Sequence, residues 1–140
     1  MPGNETVDKT ARSHLPIVWV KENFTKSQTT PVKMEISGWP SGMNQYQLSG
    51  KFSVMIVIVH LSEALTAGNV KFEVTKDGSG TGIFLNMNNT DGTRKRKNLV
   101  PAELLFNQSE EIGVQWTTNS GHAPDGVIDG VVLIQVQEAD

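Results

Sequence analysis

The chain has 140 residues, no cysteine and a formal net charge of −3. Its length fits one domain, and the absence of cysteine excludes disulfides, zinc–thiolate sites, iron–sulfur clusters and cysteine nucleophiles. The slightly acidic balance gives no general attraction to nucleic acid. The longest apolar run, Val54 to Val59, is far too short to insert into a membrane.

The first part of the chain is polar. Residues 1–13 hold nearly every polar residue type and few apolar side chains, so they cannot bury enough surface to offset the entropy of ordering. We expect an N-terminal arm over residues 1–13, either frayed or docked on a partner, ahead of one domain over residues 14–140. The stretch MPGNETVDKT also lacks the apolar core of a secretory signal peptide.

From residue 15 onward, apolar and polar side chains alternate with the period of two that predicts β-strands. Turn residues separate the strands, as in Trp39-Pro40-Ser41-Gly42 and in Asp77-Gly78, a pair typical of tight hairpins. In chain order the predicted strands are Leu15 to Phe24, Val32 to Ile36, Phe52 to Leu61, Val70 to Thr75, Ile83 to Met87, Leu99 to Phe106, Ile112 to Thr117 and Val127 to Glu138.

The segment from Leu99 to Phe106 is ambiguous, because Pro101 followed by Ala102 and Glu103 is also typical of a first helical turn. A strand broken by a bend is preferred, since its surroundings are all β. About eight antiparallel strands without a convincing helix predict an all-β fold, a two-sheet sandwich or jelly roll.

The predicted strand from Phe52 to Leu61 is apolar on both faces. Its two rows are Val54, Ile56 and Ile58, and Met55, Val57 and Val59. A sandwich core accepts one row from each strand, and surplus apolar surface usually marks an interface. We expect the row of Met55, Val57 and Val59 to form an oligomer interface; the alternative is burial under the N-terminal strand of the same chain.

One basic run stands out in this acidic chain. Arg94, Lys95, Arg96 and Lys97 contribute four of the twelve basic residues. They are candidates for contact with a polyanion or with an acidic neighbouring subunit; the alternative is a solvated loop. No aromatic side chain interrupts the run, so a platform for base stacking is missing and nucleic acid is disfavoured.

Patterns that would indicate catalysis or a cofactor are weak. His14, His60 and His122 lack the spacing of a metal site. The glycine-rich segment Gly78 to Gly82 lacks the lysine and the helix of a phosphate-binding loop. The turn aspartates do not follow the spacing of a calcium loop. We expect no catalytic residues, no cofactor and no metal, and hence not an enzyme.

Aromatic side chains near turns are candidates for contact with a glycan, because sugar rings stack on exposed aromatic rings. Trp39 and Tyr46 are the two candidates. Trp19 and Trp116 lie within predicted strands and are expected in the core.

Two stretches carry a resemblance to a known family. Leu61 to Gly78 continues into Gly80 to Leu85, and Glu111 to Thr118 is followed by Asn119 to Pro124. Over about residues 15–138 this pattern resembles the small trimeric jelly-roll domains of tailed-bacteriophage virions, which occur as decoration, head-fibre or tail-fibre modules. Similar trimeric folds tip spore-surface fibres and tumour-necrosis-factor-like ligands. The segment Asn107 to Glu110 and the basic run depart from the family pattern.

The resemblance implies a non-enzymatic structural protein on the outer surface of a phage particle. As a capsid decoration, cement or head-fibre protein, it would form a homotrimer and bind the major capsid protein or another virion protein. The alternative is a binding module at the tip of a tail or fibre, whose partner would be a receptor or a host surface glycan.

Overall fold

The structure, a computed structural model, describes residues 16–139. The predicted arm over residues 1–13 and His14 therefore lie outside the described residues. Within residues 16–139 there are eleven strands and no helix. The strands are β1 Pro16–Lys21, β2 Val32–Lys33, β3 Glu35–Ile36, β4 Gln45–Gln47, β5 Phe52–Leu61, β6 Asn69–Lys76, β7 Ser79–Asn88, β8 Arg94–Asn98, β9 Leu105–Phe106, β10 Glu111–Thr118 and β11 Gly130–Glu138.

The strands form two antiparallel sheets packed face to face. Sheet A has the order β3-β1-β11-β5-β8, with β9 paired to the start of β5. Sheet B has the order β2-β10-β6-β7, with β4 also paired to β10. The eight principal strands, four in each sheet, make a jelly roll. The predicted all-β two-sheet fold is confirmed.

The predicted strand from Val32 to Ile36 passes from one sheet to the other. Val32 and Lys33 pair with β10 in sheet B, whereas Glu35 and Ile36 pair with β1 in sheet A. Between them the side chain of Met34 is fully buried, and its N–H donates to the carbonyl of Val114 at 2.9 Å. The alternating pattern continues through the crossing, so the sequence does not reveal it.

Three aromatic rings occupy one end of the core. The ring of Phe24 meets those of Phe72 and Trp116 edge to face, with centroids 5.5 and 5.0 Å apart. The Phe24 ring lies so close to β11 that a Cβ atom on Gly130 would come within 2.5 Å of it. Trp19 and Trp116 are buried, which confirms their predicted places in the core.

The Asp77-Gly78 hairpin is also confirmed. It joins β6 to β7, and both residues have positive φ angles, 50° and 84°. The Asp77 N–H donates to the Glu111 carbonyl, and the Glu111 N–H donates to Asp77 Oδ1, each at 2.8 Å. The hairpin is thereby attached to the start of β10.

Two segments differ from the sequence-based expectations. The basic run, for which a solvated loop was the alternative, forms the edge strand β8. Charged side chains are a common protection for such an edge. In the ambiguous segment from Leu99 to Phe106, only Leu105 and Phe106 are strand, and no helix forms there.

A β-bulge in β5 inverts the alternation on which the interface prediction rested. Gln135 of β11 pairs with Ile56 while the next residue, Val136, pairs with Val54, so Met55 is the additional residue. An additional residue moves every later side chain to the opposite face. Val57 and Val59 consequently lie in the core, 3% and 0% exposed.

The prediction that Val57 and Val59 face a second subunit is therefore wrong, because the chain buries both within its own sandwich. Met55 stays half-buried outside the core. The apolar residues that the bulge turns outward in this strand are Ile56 and Ile58.

Candidate functional site

The outer face of sheet A, hereafter the sheet A face, carries an apolar patch that spans three neighbouring strands. In one row Val18 of β1, Leu133 of β11 and Ile58 of β5 are aligned across the sheet. A second row aligns Val20 with Val131, and Ile56 lies beside Gln135. Val131 is 37% exposed and the other aliphatic side chains are half-buried.

No strand among residues 16–139 covers this patch. The N-terminal strand β1 lies in sheet A itself, with β11 between it and β5. The alternative in which β1 packs over β5 is therefore wrong, and the patch faces outward from the described part of the chain.

Basic side chains flank the patch on one side. Arg94 is aligned with His60, and Arg96 with Ile58, so both arginines lie on the sheet A face. Both are exposed, and Arg96 Nε donates to Asn98 Oδ1 at 2.9 Å. Within the described residues, neither arginine forms an ion pair with a carboxylate.

The two lysines of the basic run are placed differently, because successive side chains of a strand alternate between faces. Lys95 Nζ lies 3.3 Å from Asp91 Oδ1 and donates to the Asn86 carbonyl of β7 at 2.9 Å. It thus links the edges of the two sheets. Lys97 is half-buried and aligned with the core residue Val57. The two arginines of the run therefore lie on the sheet A face, and the two lysines lie on the opposite face of β8.

Acidic side chains lie at the opposite edge of the sheet A face. Glu35 of β3 is aligned with Val20, and Glu22 follows the end of β1. Both are exposed and line one groove with Val20. Two lysines also line this groove, but each has a partner: Lys21 Nζ lies 5.8 Å from the centroid of Trp116, and Lys33 Nζ donates to the Gly78 carbonyl.

Trp39 and Tyr46, the two predicted glycan-contact residues, meet in the structure. Their ring centroids are 5.4 Å apart and the rings are inclined by 60°. Trp39 is 43% exposed, and the nearby Met43 is exposed as well. The loop between β3 and β4 therefore presents the ring of Trp39 to solvent, supported by Tyr46 of β4.

Sites for catalysis or metal binding are sparse in the described part of the chain. No group of three or more histidine, aspartate and glutamate side chains within residues 16–139 could hold a metal ion. A depression of about 250 Å³ on sheet B is lined by Lys71, Glu73 and Gln115, among others. The Glu73 carboxylate there accepts hydrogen bonds from the Gly82 N–H and from Gln115 Nε2. No helix of the described residues is long and apolar enough to cross a membrane.

His122 lies in a loop, yet its side chain is buried and only 2% exposed. Its Nε2 lies 3.2 Å from the Phe24 carbonyl, while Nδ1 has no hydrogen-bond partner among residues 16–139. Burial lowers the pKa of His122, against the opposing effects of the Phe24 carbonyl and of Asp125. The loop packs so tightly that a Cβ on Gly68 would lie 2.2 Å from the backbone nitrogen of His122. No pattern in the sequence around His122 predicts that its side chain is buried.

Comparison with known proteins gives likeness in fold only. No family model and no curated protein matches the chain. A chain in the acidic stable capsid structure of Helicobacter pylori bacteriophage KHP30 is similar, with a TM-score of 0.50, 12% identity and 89% of each chain covered. A chain in the virus-like particle of the Macrobrachium rosenbergii extra small virus matches with a TM-score of 0.30, 16% identity, and 88% of this chain and 80% of that one covered. The KHP30 likeness supports the jelly-roll fold, and the second match adds nothing to it.

Proposed function

We propose that this chain is a non-enzymatic structural component of a virus particle. The observation that carries the proposal is the fold likeness to a chain of the KHP30 capsid structure, which covers 89% of both chains. The likeness thus extends over most of the chain. The aliphatic patch on the sheet A face and the arginines beside it form a surface suited to binding neighbouring subunits.

In the finer form of the proposal, the protein is a decoration, cement or head-fibre protein of a tailed phage. It binds the outer surface of the particle as a homotrimer, through the major capsid protein or another virion protein. The arm expected over residues 1–13 supplies the attachment, which leaves the sandwich to project from the shell. This arrangement follows the virion jelly rolls that the sequence resembles.

Rebinding to particles tests the proposal. Particles assembled without the chain are mixed with purified protein, pelleted, and analysed for bound copies at increasing protein concentration. We expect saturable binding and a gain in the heat resistance of the particles. Absence of binding to such particles, together with absence of the chain from wild-type particles, would overturn the proposal.

A second candidate function is supported by the contact between Trp39 and Tyr46. In it the protein is the tip module of a tail or fibre, and the exposed ring of Trp39 stacks on a host surface glycan. Binding would be measured by quenching of tryptophan fluorescence with polysaccharide purified from the host surface. Trp39→Ala should abolish the quenching, whereas Phe84→Ala, at an exposed aromatic on sheet B, should retain it.

A further inference from the structure

We propose that a second copy of this chain covers the sheet A face, with Arg94 of each copy against Glu35 of its neighbour. The inference deepens the proposed function and rests on it in one respect, since a protein of the virion shell must bind other subunits. It names the surface, the partner and the charges that set the orientation of the copies.

The centre of the sheet A face has the composition of an interface. Six aliphatic side chains are contiguous across β1, β11 and β5, and one of them, Val131, is more than a third exposed. When one face of an antiparallel sheet packs on the core and the other face is exposed to water, the exposed face is normally polar. A contiguous aliphatic surface with charged surroundings instead marks a contact with another protein.

The charges select a copy of the same chain as the partner. One row across sheet A runs from Glu35 through Val20, Val131 and His60 to Arg94. It therefore begins with an acidic residue and ends with a basic one, and the backbones of these two positions are about 19 Å apart at the usual spacing of strands. A face with opposite charges at its two edges is complementary to itself.

Complementarity also restricts how the copies are oriented. A rotation axis parallel to the strands brings β8 of one copy against the β1 and β3 edge of the next, which places Arg94 opposite Glu35. Both a two-fold and a three-fold axis of this direction satisfy the pairing, so the proposed homotrimer does so too. An axis across the strands would place β8 on β8 and bring four arginines together.

Other occupants fit the face less well. Residues 1–15 hold only a few apolar side chains among many polar ones, too few to match six aliphatic residues on the face. A different virion protein would need an acidic group facing Arg94 and a basic group facing Glu35. A second copy of this chain already carries both.

Sedimentation velocity of the purified full-length chain at micromolar concentrations tests the proposal. We expect an oligomer for the wild type. Ile58→Asp, on the β5 side of the patch, should raise the dissociation constant at least about tenfold while circular dichroism shows a folded sandwich. Phe84→Asp is the matched control, because Phe84 is an exposed apolar residue on sheet B, and it should retain the wild-type mass.

A charge exchange keeps the test decisive if Ile58→Asp fails to fold. Arg94→Glu changes only an exposed side chain and should dissociate the oligomer. Adding Glu35→Arg to the same chain should restore it. Salt should weaken the wild-type oligomer, because exposed charges are screened beyond about 8 Å at physiological ionic strength.

Three outcomes overturn the proposal: a monomeric wild type, an Ile58→Asp oligomer as tight as the wild type, or a failed charge rescue. If removal of residues 1–13 converts a monomer into an oligomer, the arm covers the face and the proposal is likewise wrong. A wild-type monomer that still rebinds particles removes this inference alone. An oligomer that never binds particles instead removes the proposed virion function.

Discussion

Individual residues at one end of the sandwich depend on one another through Phe24. Its ring contacts Phe72 and Trp116, its carbonyl lies 3.2 Å from His122 Nε2, and its N–H donates to the Ile128 carbonyl at 2.9 Å. A connecting loop thus supplies both an apolar ring and backbone hydrogen bonds to the core. Changes at any of these residues should act on the stability of the whole domain.

The burial of Trp116 predicts a large loss of stability on truncation. Trp116→Ala should lower the free energy of unfolding by about 3–5 kcal/mol, through lost burial and the cavity left beside Phe24. Chemical denaturation measures the change. Trp39→Ala, at the exposed tryptophan, is the control and should cost less than about 0.5 kcal/mol. A loss below about 1 kcal/mol at Trp116 would place that ring at the surface.

His122 predicts a loss of stability in mild acid. Its pKa is lowered in the folded state. When the pH falls below the usual pKa of 6.5, the unfolded chain therefore binds a proton at His122 that the folded chain does not bind. The stability contribution is complete above pH 6.5 and is lost as the pH falls from there towards the lowered folded pKa. Charging the ring would also leave a donor at buried Nδ1 without an acceptor.

Thermal unfolding of the wild type and of His122→Gln between pH 7 and pH 5.5 checks this expectation. Glutamine does not titrate, and its amide can still donate to the Phe24 carbonyl. The variant should therefore show a shallower fall of the melting temperature with decreasing pH. Equal slopes for the two proteins would show that His122 is not the group responsible.

Among the elements, β5 links the core to the proposed interface. The bulge at Met55 directs Val57 and Val59 inward while Ile56 and Ile58 face outward. A single strand thereby supplies apolar side chains to two surfaces. This division explains why a strand of the sandwich is apolar on both faces.

Aspartate substitutions on the two sides of β5 should have opposite consequences. Val57→Asp would bury an unpaired carboxylate, which costs several kcal/mol or more against a total stability of about 5–15 kcal/mol, so the chain should unfold. Ile56→Asp should leave a folded protein that no longer self-associates. Circular dichroism and light scattering on both variants measure these outcomes. Unfolding of both would mean that the two faces are buried within one chain.

Local signals explain which elements the sequence predicts. The Asp77-Gly78 pair predicts its hairpin because both residues adopt the positive φ angles that such a turn requires. The alternation of apolar and polar residues around Trp116 predicts that its side chain lies in the core. The bulge, by contrast, arises from pairing between Val54 and Val136, which are far apart in the chain. Strand β8 lacks apolar residues because an edge strand needs only backbone pairing with β5.

The sequence predicts some residues of the candidate surfaces and not others. Sequence reasoning found surplus apolar side chains in β5, the basic run and the pair of Trp39 and Tyr46. It could not find that β1 and β11 extend the patch, because strand order in a sheet is a property of the whole fold. The sequence does not reveal the role of Glu22 and Glu35 for the same reason, since only the fold places them on the sheet A face at the edge far from Arg94.

At the scale of the whole molecule, the proposal assigns folding and attachment to different parts of the chain. The described residues already form a closed jelly roll with its own core. Deleting residues 1–13 should therefore change the melting temperature by less than about 2 °C and reduce incorporation into particles. Differential scanning calorimetry and quantitative mass spectrometry of particles measure the two effects. If the deletion unfolds the domain, the arm belongs to the core.

Cryo-electron microscopy of particles purified from cells that produce this chain would show whether the chain is part of a virion. We expect jelly-roll density on the outer surface of the shell, with copies in contact through the sheet A face and Arg94 near an acidic edge. Particles that contain no copy of the chain would contradict the virion role.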